Sequence, residues 1–143
     1  PDNVVQPLIR IRTGLYASRG YIAAHGKPDG PQDFAGHRFV GADSALSRAP
    51  FHRWLRDTVP MEQITYRATE PAVLEAAVKA GAGIGFLSHY IAAEDPDLVE
   101  VMPPREDWAP PLWLVTHVDL HRTVKVQSFL AHLKAAVAGW AAV

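Results

Sequence analysis

Segments rich in β-branched and apolar residues alternate with segments of helical periodicity along this sequence. That alternation predicts an α/β fold with a mainly parallel or mixed sheet. Three observations carry it. Ile84-Gly85-Phe86-Leu87 is a compact apolar run of strand length. Glu62–Thr69 alternates, with Ile64, Tyr66 and Ala68 against Gln63, Thr65 and Arg67. The C-terminal segment carries an apolar stripe at i, i+3/i+4 and i+7. The 143 residues suit one domain, or one compact domain with an appendage, and suffice to bury a core.

Taken in order, residues 1–6 read as an irregular lead-in. Residues 7–18, with Leu8-Ile9-Arg10-Ile11 and Gly14-Leu15-Tyr16, read as a strand or extended connector. Ser18 is a candidate N-cap for a short helix over 20–25, which Gly26 ends. Lys27-Pro28-Asp29-Gly30-Pro31 is a break, and residues 32–36 fit one helical turn. Residues 38–41 form a short buried strand.

Asp43 to Arg48 is polar, and Ser47 is a candidate cap for a helix over 50–57. Pro50 suits a first helical position, and Phe51, Trp54 and Leu55 give that helix one apolar face. After the alternating strand, Thr69 is expected to cap a helix over 70–80, stopped by Gly81-Ala82-Gly83. A buried strand over 84–87, a helical turn or two over 90–94 and a strand over 98–102 follow. Pro103-Pro104 and Pro110-Pro111 bracket a turn-rich loop ahead of a β-prone run over 112–118. The last segment, 123–143, reads as the clearest helix. Val126, Phe129, Leu130, Leu133, Val137 and Trp140 form its stripe, and Lys125, Gln127 and Lys134 fall off it.

Composition narrows the function. The chain has no cysteine, which removes disulfides, thiolate nucleophiles and cysteine-ligated metals. Fourteen basic residues against fifteen acidic ones argue against a nucleic-acid surface on this chain. No window approaches the roughly 18 consecutive apolar residues of a membrane span, and no signal-peptide pattern is visible. No membrane partner is therefore expected.

Motifs for catalysis are absent. No G-x-S-x-G occurs, so the nucleophile elbow is missing. His117 and His121 stand at i, i+4, but the run is expected to pass from strand to turn, which makes them polar loop histidines. Gly81-Ala82-Gly83-Ile84-Gly85 closes a helix and enters a strand, the reverse of a dinucleotide fingerprint. No metal site, cofactor or catalytic residue is expected. The informative pattern is polar residues where strands end and helices begin: Asp43, Ser44, Ser47, Thr69 and Glu70. Such points hydrogen-bond small anions as readily as they cap helices.

The order of four blocks carries a resemblance. LYASRGYIAAHGKPDGPQDFAGHRFVG is followed by ATEPAVLEAAVKAGAGIGFLSHYIA, LVEVMPP and PPLWLVTHVDLHRTVKVQSFLAHL. Over about Gly14 to Leu133 this resembles the effector-binding (regulatory) domain of LysR-type transcriptional regulators. Ser88 departs from it, standing where the family often carries proline.

The resemblance implies a periplasmic-binding-protein-like fold of two α/β lobes, type 2, with an effector cleft between them. Residues 1–16 match the end of the first lobe and a crossing strand. Residues 17–115 match the second regulatory lobe, and residues 116–143 match the return crossing and the closing helix of the first lobe. Most of the first lobe, and a winged helix-turn-helix for DNA, would lie outside this sequence. The stripe of the closing helix would pack on that first lobe. Asp43, Ser44, Ser47, Thr69 and Glu70 match positions that face the cleft or its neighbourhood.

The implied protein is a cytoplasmic homo-oligomer that senses a small-molecule effector and meets DNA only through its parent chain. Polar helix starts point to an anionic effector, and an apolar aromatic one stays open. Two other classes remain: a periplasmic-type solute-binding protein, which shares the fold, and a small α/β enzyme, which the missing motifs disfavour.

Overall fold

The computed structural model describes residues 2–43 and 47–142. The chain forms two compact units, 12–109 and 1–11 with 110–143.

The larger unit is built on a mixed sheet. Strand β2 (Thr13–Ser18) is buried along its whole length. It pairs antiparallel with β5 (Gly85–Ser88) on one side and β6 (Leu98–Met102) on the other. Strands β3 (Phe39–Ala42) and β4 (Ile64–Ala68) pair in parallel. A parallel bridge between Phe39 and Ile84 joins this pair to the rest.

Both faces of this sheet are covered, as its apolar runs require. Side chains alternate across a strand, so neighbouring apolar residues enter different layers. Leu15, Ala17, Phe39, Ile84 and Phe86 pack in one core with Leu55 and Val59 of α2 (Pro50–Thr58) and its C-cap, together with Trp108. Tyr16, Val40 and Leu87 pack in the other with Leu74, Ala77 and Val78 of α3 (Pro71–Lys79) and Ala92 of α4 (His89–Glu94). Leu74, Ala77 and Val78 are the i, i+3, i+4 face of α3. Helix α1 (Arg19–His25) starts as its cap predicts, with the Tyr21 N–H donating to Ser18 Oγ at 3.0 Å. Gly26, at φ 81°, closes it.

In the smaller unit, β1 (Asn3–Arg10) pairs antiparallel with β7 (Pro111–His117), with an irregularity between Pro7 and Ile9. Helix α5 (Val118–His121) and helix α6 (Val124–Ala138) follow, then a 3₁₀ turn over Gly139–Ala142. Thr123 caps α6, and Lys134 Nζ donates to Gln6 Oε1 of β1 at 2.7 Å.

Four sequence expectations need correction. The lead-in is a strand, because Asn3, Val4 and Val5 find partners in β7, 110 to 114 residues away, that local propensity cannot show. Ser47 does not cap α2. Ala49 occupies the N-cap with no side-chain hydrogen bond. Thr69 does not cap α3. Glu70 holds that position, also without a side-chain bond, and its carbonyl accepts the N–H groups of Val73 and Leu74. In both cases proline takes the first helical position and forces the residue before it into extended backbone, at ψ 123° and 127°. Finally, the C-terminal helix ends at Ala138, before Gly139, and its stripe divides: Leu130 and Val137 are buried while Phe129 and Trp140 are exposed.

Candidate functional site

Parallel pairing of β3 with β4, and of Phe39 with Ile84, brings the C-terminal ends of β3, β4 and β5 to one edge of the larger unit. Thr13, paired with Ser88, starts β2 at that same edge. Ser18, paired with Leu98, ends it at the opposite one.

The first edge holds three of the polar residues singled out above, Asp43, Thr69 and Glu70. The Asp43 N–H donates to the Ala68 carbonyl at 3.0 Å, extending the pairing one step beyond β3. Asp43 and Thr69 thereby leave the sheet side by side, and Glu70 follows as the first residue of the turn into α3. All three are exposed. Ser47 is half-buried in the loop leading to α2. Ser44 lies outside the described residues. No hydrogen bond or ion pair joins the side chains of Asp43, Ser47, Thr69 and Glu70 among the described residues.

Sequence reasoning missed the aromatic and basic cluster around α2. Phe51, in the first turn of α2, sits 5.2 Å from the Phe86 ring, which stands 4.9 Å from Trp108. Trp54 meets Trp108 edge-on at 4.9 Å. His52 follows Phe51. Burial, reinforced by the Arg56 guanidinium one turn on, pushes its imidazole down to about 4. Nδ1 of His52 and Nη1 of Arg56 are both shut off from solvent without a partner among the described residues. The i, i+4 spacing of these two bases was legible; that both would be covered was not.

Three further histidines are engaged structurally. His89 Nδ1 meets the Tyr16 hydroxyl at 3.1 Å, and burial followed by the Glu100 charge raises that phenol to about 12. Residues 118–121 form a helical turn after all, but His117 Nδ1 accepts the Asp119 N–H. His121 Nδ1 contacts Thr116 Oγ1 at 2.8 Å. Among the described residues no group of three histidines or carboxylates has the geometry of a metal site. What the polar edge offers is hydrogen bonding through a hydroxyl, carboxylates and strand-end backbone.

A mixed α/β unit of this kind, with polar groups gathered at its strand ends, has a periplasmic-binding-protein-like fold. The LysR substrate binding domain family matches residues 1–138, and this chain belongs to it. The chain is 30% identical over 140 residues to the probable HTH-type transcriptional regulator LtrA of Klebsiella pneumoniae, covering 92% of this chain and 45% of that protein. It is 29% identical over 135 residues to an HTH-type transcriptional repressor of Pseudomonas aeruginosa, covering 89% and 42%. The chain thus spans less than half the length of these relatives. Among solved structures, the regulatory domain of CrgA from Neisseria meningitidis, a LysR-type transcriptional regulator, superposes with a TM-score of 0.72. It is 22% identical and matches over 94% of this chain and 69% of its own. The regulatory domain of AphB from Vibrio vulnificus gives 0.64 at 21% identity, with 94% and 69% coverage. These neighbours share the fold.

Proposed function

We propose that this chain is the effector-sensing part of a cytoplasmic, homo-oligomeric LysR-type transcriptional regulator, not an enzyme. A small molecule bound at Asp43, Ser44, Ser47, Thr69 and Glu70 would shift the balance between two arrangements of the regulator. Binding can do this only through different affinity for the two states. DNA contact would reside in a helix-turn-helix outside this chain, as the names of both relatives suggest.

The family match along nearly the whole chain carries the reading. The candidate edge supports it, because open α/β sheets take ligands at the C-terminal ends of their strands. Both curated relatives are named as transcriptional regulators, which favours this reading over a periplasmic solute-binding protein of the same fold. No described helix is long and apolar enough to cross a membrane.

The unit 12–109 would be the second lobe, and residues 1–11 with 110–143 would belong to the first. Exposed Val5, Trp113, Val115, Val124 and Phe129 support this, since the remainder of a first lobe would cover such surface. The decisive measurement is operator binding by the parent regulator, with effectors first found by thermal shift. An effector should alter operator affinity or footprint, and Ser47→Ala with Thr69→Ala should weaken its thermal shift. Thermal shifts identical in wild type and the double variant would refute the site. An operator complex indifferent to every stabilising ligand would refute the function.

A further inference from the structure

We infer a second ligand site at the end of the larger unit opposite the candidate edge, one that takes the phosphoryl group of a small molecule. It goes beyond the effector reading and does not depend on it. A cavity of about 460 Å³ opens there between α1, the end of α3 and the loop before β6. Its size falls within the range of small-molecule pockets. Helix α3 runs from the candidate edge at Pro71 to this cavity at Lys79, so the two are separated by its length, roughly 13 Å.

The cavity is lined by two arginines, Arg19 and Arg38, that form no ion pair among the described residues. Arg19 is held by the Pro96 carbonyl, to which Nε donates at 3.2 Å and Nη2 at 2.7 Å. Arg38 is held by His25, with Nη2 donating to Nε2 at 3.2 Å, and its guanidinium stands 6.0 Å from the centre of the Tyr21 ring. A guanidinium only donates, so Nε2 of His25 offers its lone pair and Nδ1–H donates to the Tyr21 carbonyl at 3.2 Å.

Neither arginine has a carboxylate within ion-pair distance among the described residues. Lys79, also at the cavity, is already paired with Glu75 at 2.8 Å and Asp95 at 3.6 Å. Asp97 is the one acidic residue lining it. Two cationic forks fixed by neutral acceptors keep both their charge and their remaining N–H donors. Planar forks of this kind match phosphoryl oxygens in pairs.

The floor is kept low by glycine. A Cβ on Gly81, which sits at φ 84°, would lie 3.2 Å from Ser18 Oγ, and one on Gly20 would lie 4.0 Å from the same oxygen. Side chains at these positions would occupy the space a ligand needs. Prepositioned donors around an open floor lower the ordering cost of binding.

Pyrophosphate titrated into the 143-residue chain, followed by amide chemical shifts, tests the assignment. Saturable shifts centred on Gly20, Gly81 and Arg38 are expected. Arg19→Gln and Arg38→Gln should each weaken them about tenfold, the loss of one charge-assisted contact. Gly20→Met keeps every charge and suits a helix, and it should abolish binding by filling the cavity. The site is refuted if no shift appears at about 10 mM, tenfold above a millimolar Kd, or if the double arginine variant binds as wild type. A short DNA duplex is the competing source of phosphate. Arginine-dependent binding of duplex tighter than that of pyrophosphate would overturn the small-molecule assignment.

Discussion

The hydroxyl of Tyr21 stands 2.9 Å from Nδ1 of His37 and at the same time accepts the backbone N–H of Arg38 at 3.0 Å. One oxygen therefore ties α1 to the segment that enters β3. The geometry assigns its proton: the oxygen accepts from Arg38, so its own hydrogen donates to the imidazole lone pair. His37 suits that role because burial, and then its neighbour His25, lowers its pKa against the opposing pull of Asp33. Gln63 Nε2 closes the arrangement from the far side, donating to the carbonyls of Phe34 and His37 at 2.7 and 3.1 Å.

Tyr21→Phe keeps the ring and its packing, and removes the oxygen. Tyr21 is 2% exposed, so the partners it leaves are poorly placed to find water. Stability should fall by about 1–3 kcal/mol, the cost of leaving buried polar groups unpaired. Urea unfolding of both proteins checks this. A loss indistinguishable from zero would mean that water replaces the hydroxyl.

Gly83 is required by closeness rather than by its backbone angle. A Cβ there would meet the Arg38 carbonyl oxygen at 2.6 Å and its carbon at 2.9 Å, both main-chain atoms. The Ile84 N–H donates to that same carbonyl at 2.8 Å, so the two segments cannot separate without breaking the bridge between β3 and the β5 side. Gly83→Ala should cost about 2–3 kcal/mol through overpacking. Gly139→Ala, with nothing within 4 Å, should cost nothing. Paired thermal melts of the two variants separate the claims.

These sites show what the sequence made legible. Four of the five strands of the larger unit were located to within about two residues, since apolar runs of strand length between glycines and prolines leave little choice, whereas β2 was read only as part of one extended run over 7–18. The edge that gathers Asp43, Thr69 and Glu70 also followed, because it depends only on the alternation of strands and helices. The two caps failed at a specific point. Serine and threonine were given the N-cap from residue type, although Pro50 and Pro71 mark the first helical residue and place the cap one position earlier. The pairing of Asn3–Arg10 with Pro111–His117 joins opposite ends of the chain, and no local signal encodes a partner so far away. The covered His52–Arg56 pair was missed for the same reason, as burial depends on elements distant in sequence.

His52 should make folding sensitive to mild acid. Its folded-state pKa, about 4, lies below the unfolded value of 6.5. Between those values the unfolded chain binds the proton and the folded chain does not. The stability tied to the neutral ring is thus complete above pH 6.5 and is lost as pH falls toward 4. A shift of that size is worth on the order of 3 kcal/mol for a group fully removed from water, and about half that for a half-buried ring. Denaturation curves at pH 7.5, 6 and 5 for wild type and His52→Phe should diverge, with the variant losing less. Parallel curves would contradict the account.

Trp108 is wholly buried, with rings of Trp54 and Phe86 each 4.9 Å away and the Arg105 guanidinium 4.7 Å above its own. Its indole N–H nevertheless has no acceptor. Two terms therefore oppose each other on truncation. Trp108→Ala removes the packing and should cost about 3–5 kcal/mol, as for other large core deletions. Trp108→Phe keeps one ring in the cluster and removes the unpaired donor, whose burial costs about 1–3 kcal/mol. The lost ring area and the removed donor then largely offset each other, so the phenylalanine variant should lie within about 1 kcal/mol of wild type. Chemical denaturation of the three proteins reads this directly. If Trp108→Phe falls near Trp108→Ala, the indole nitrogen must be satisfied by an ordered water, and a buried solvent site belongs in this core.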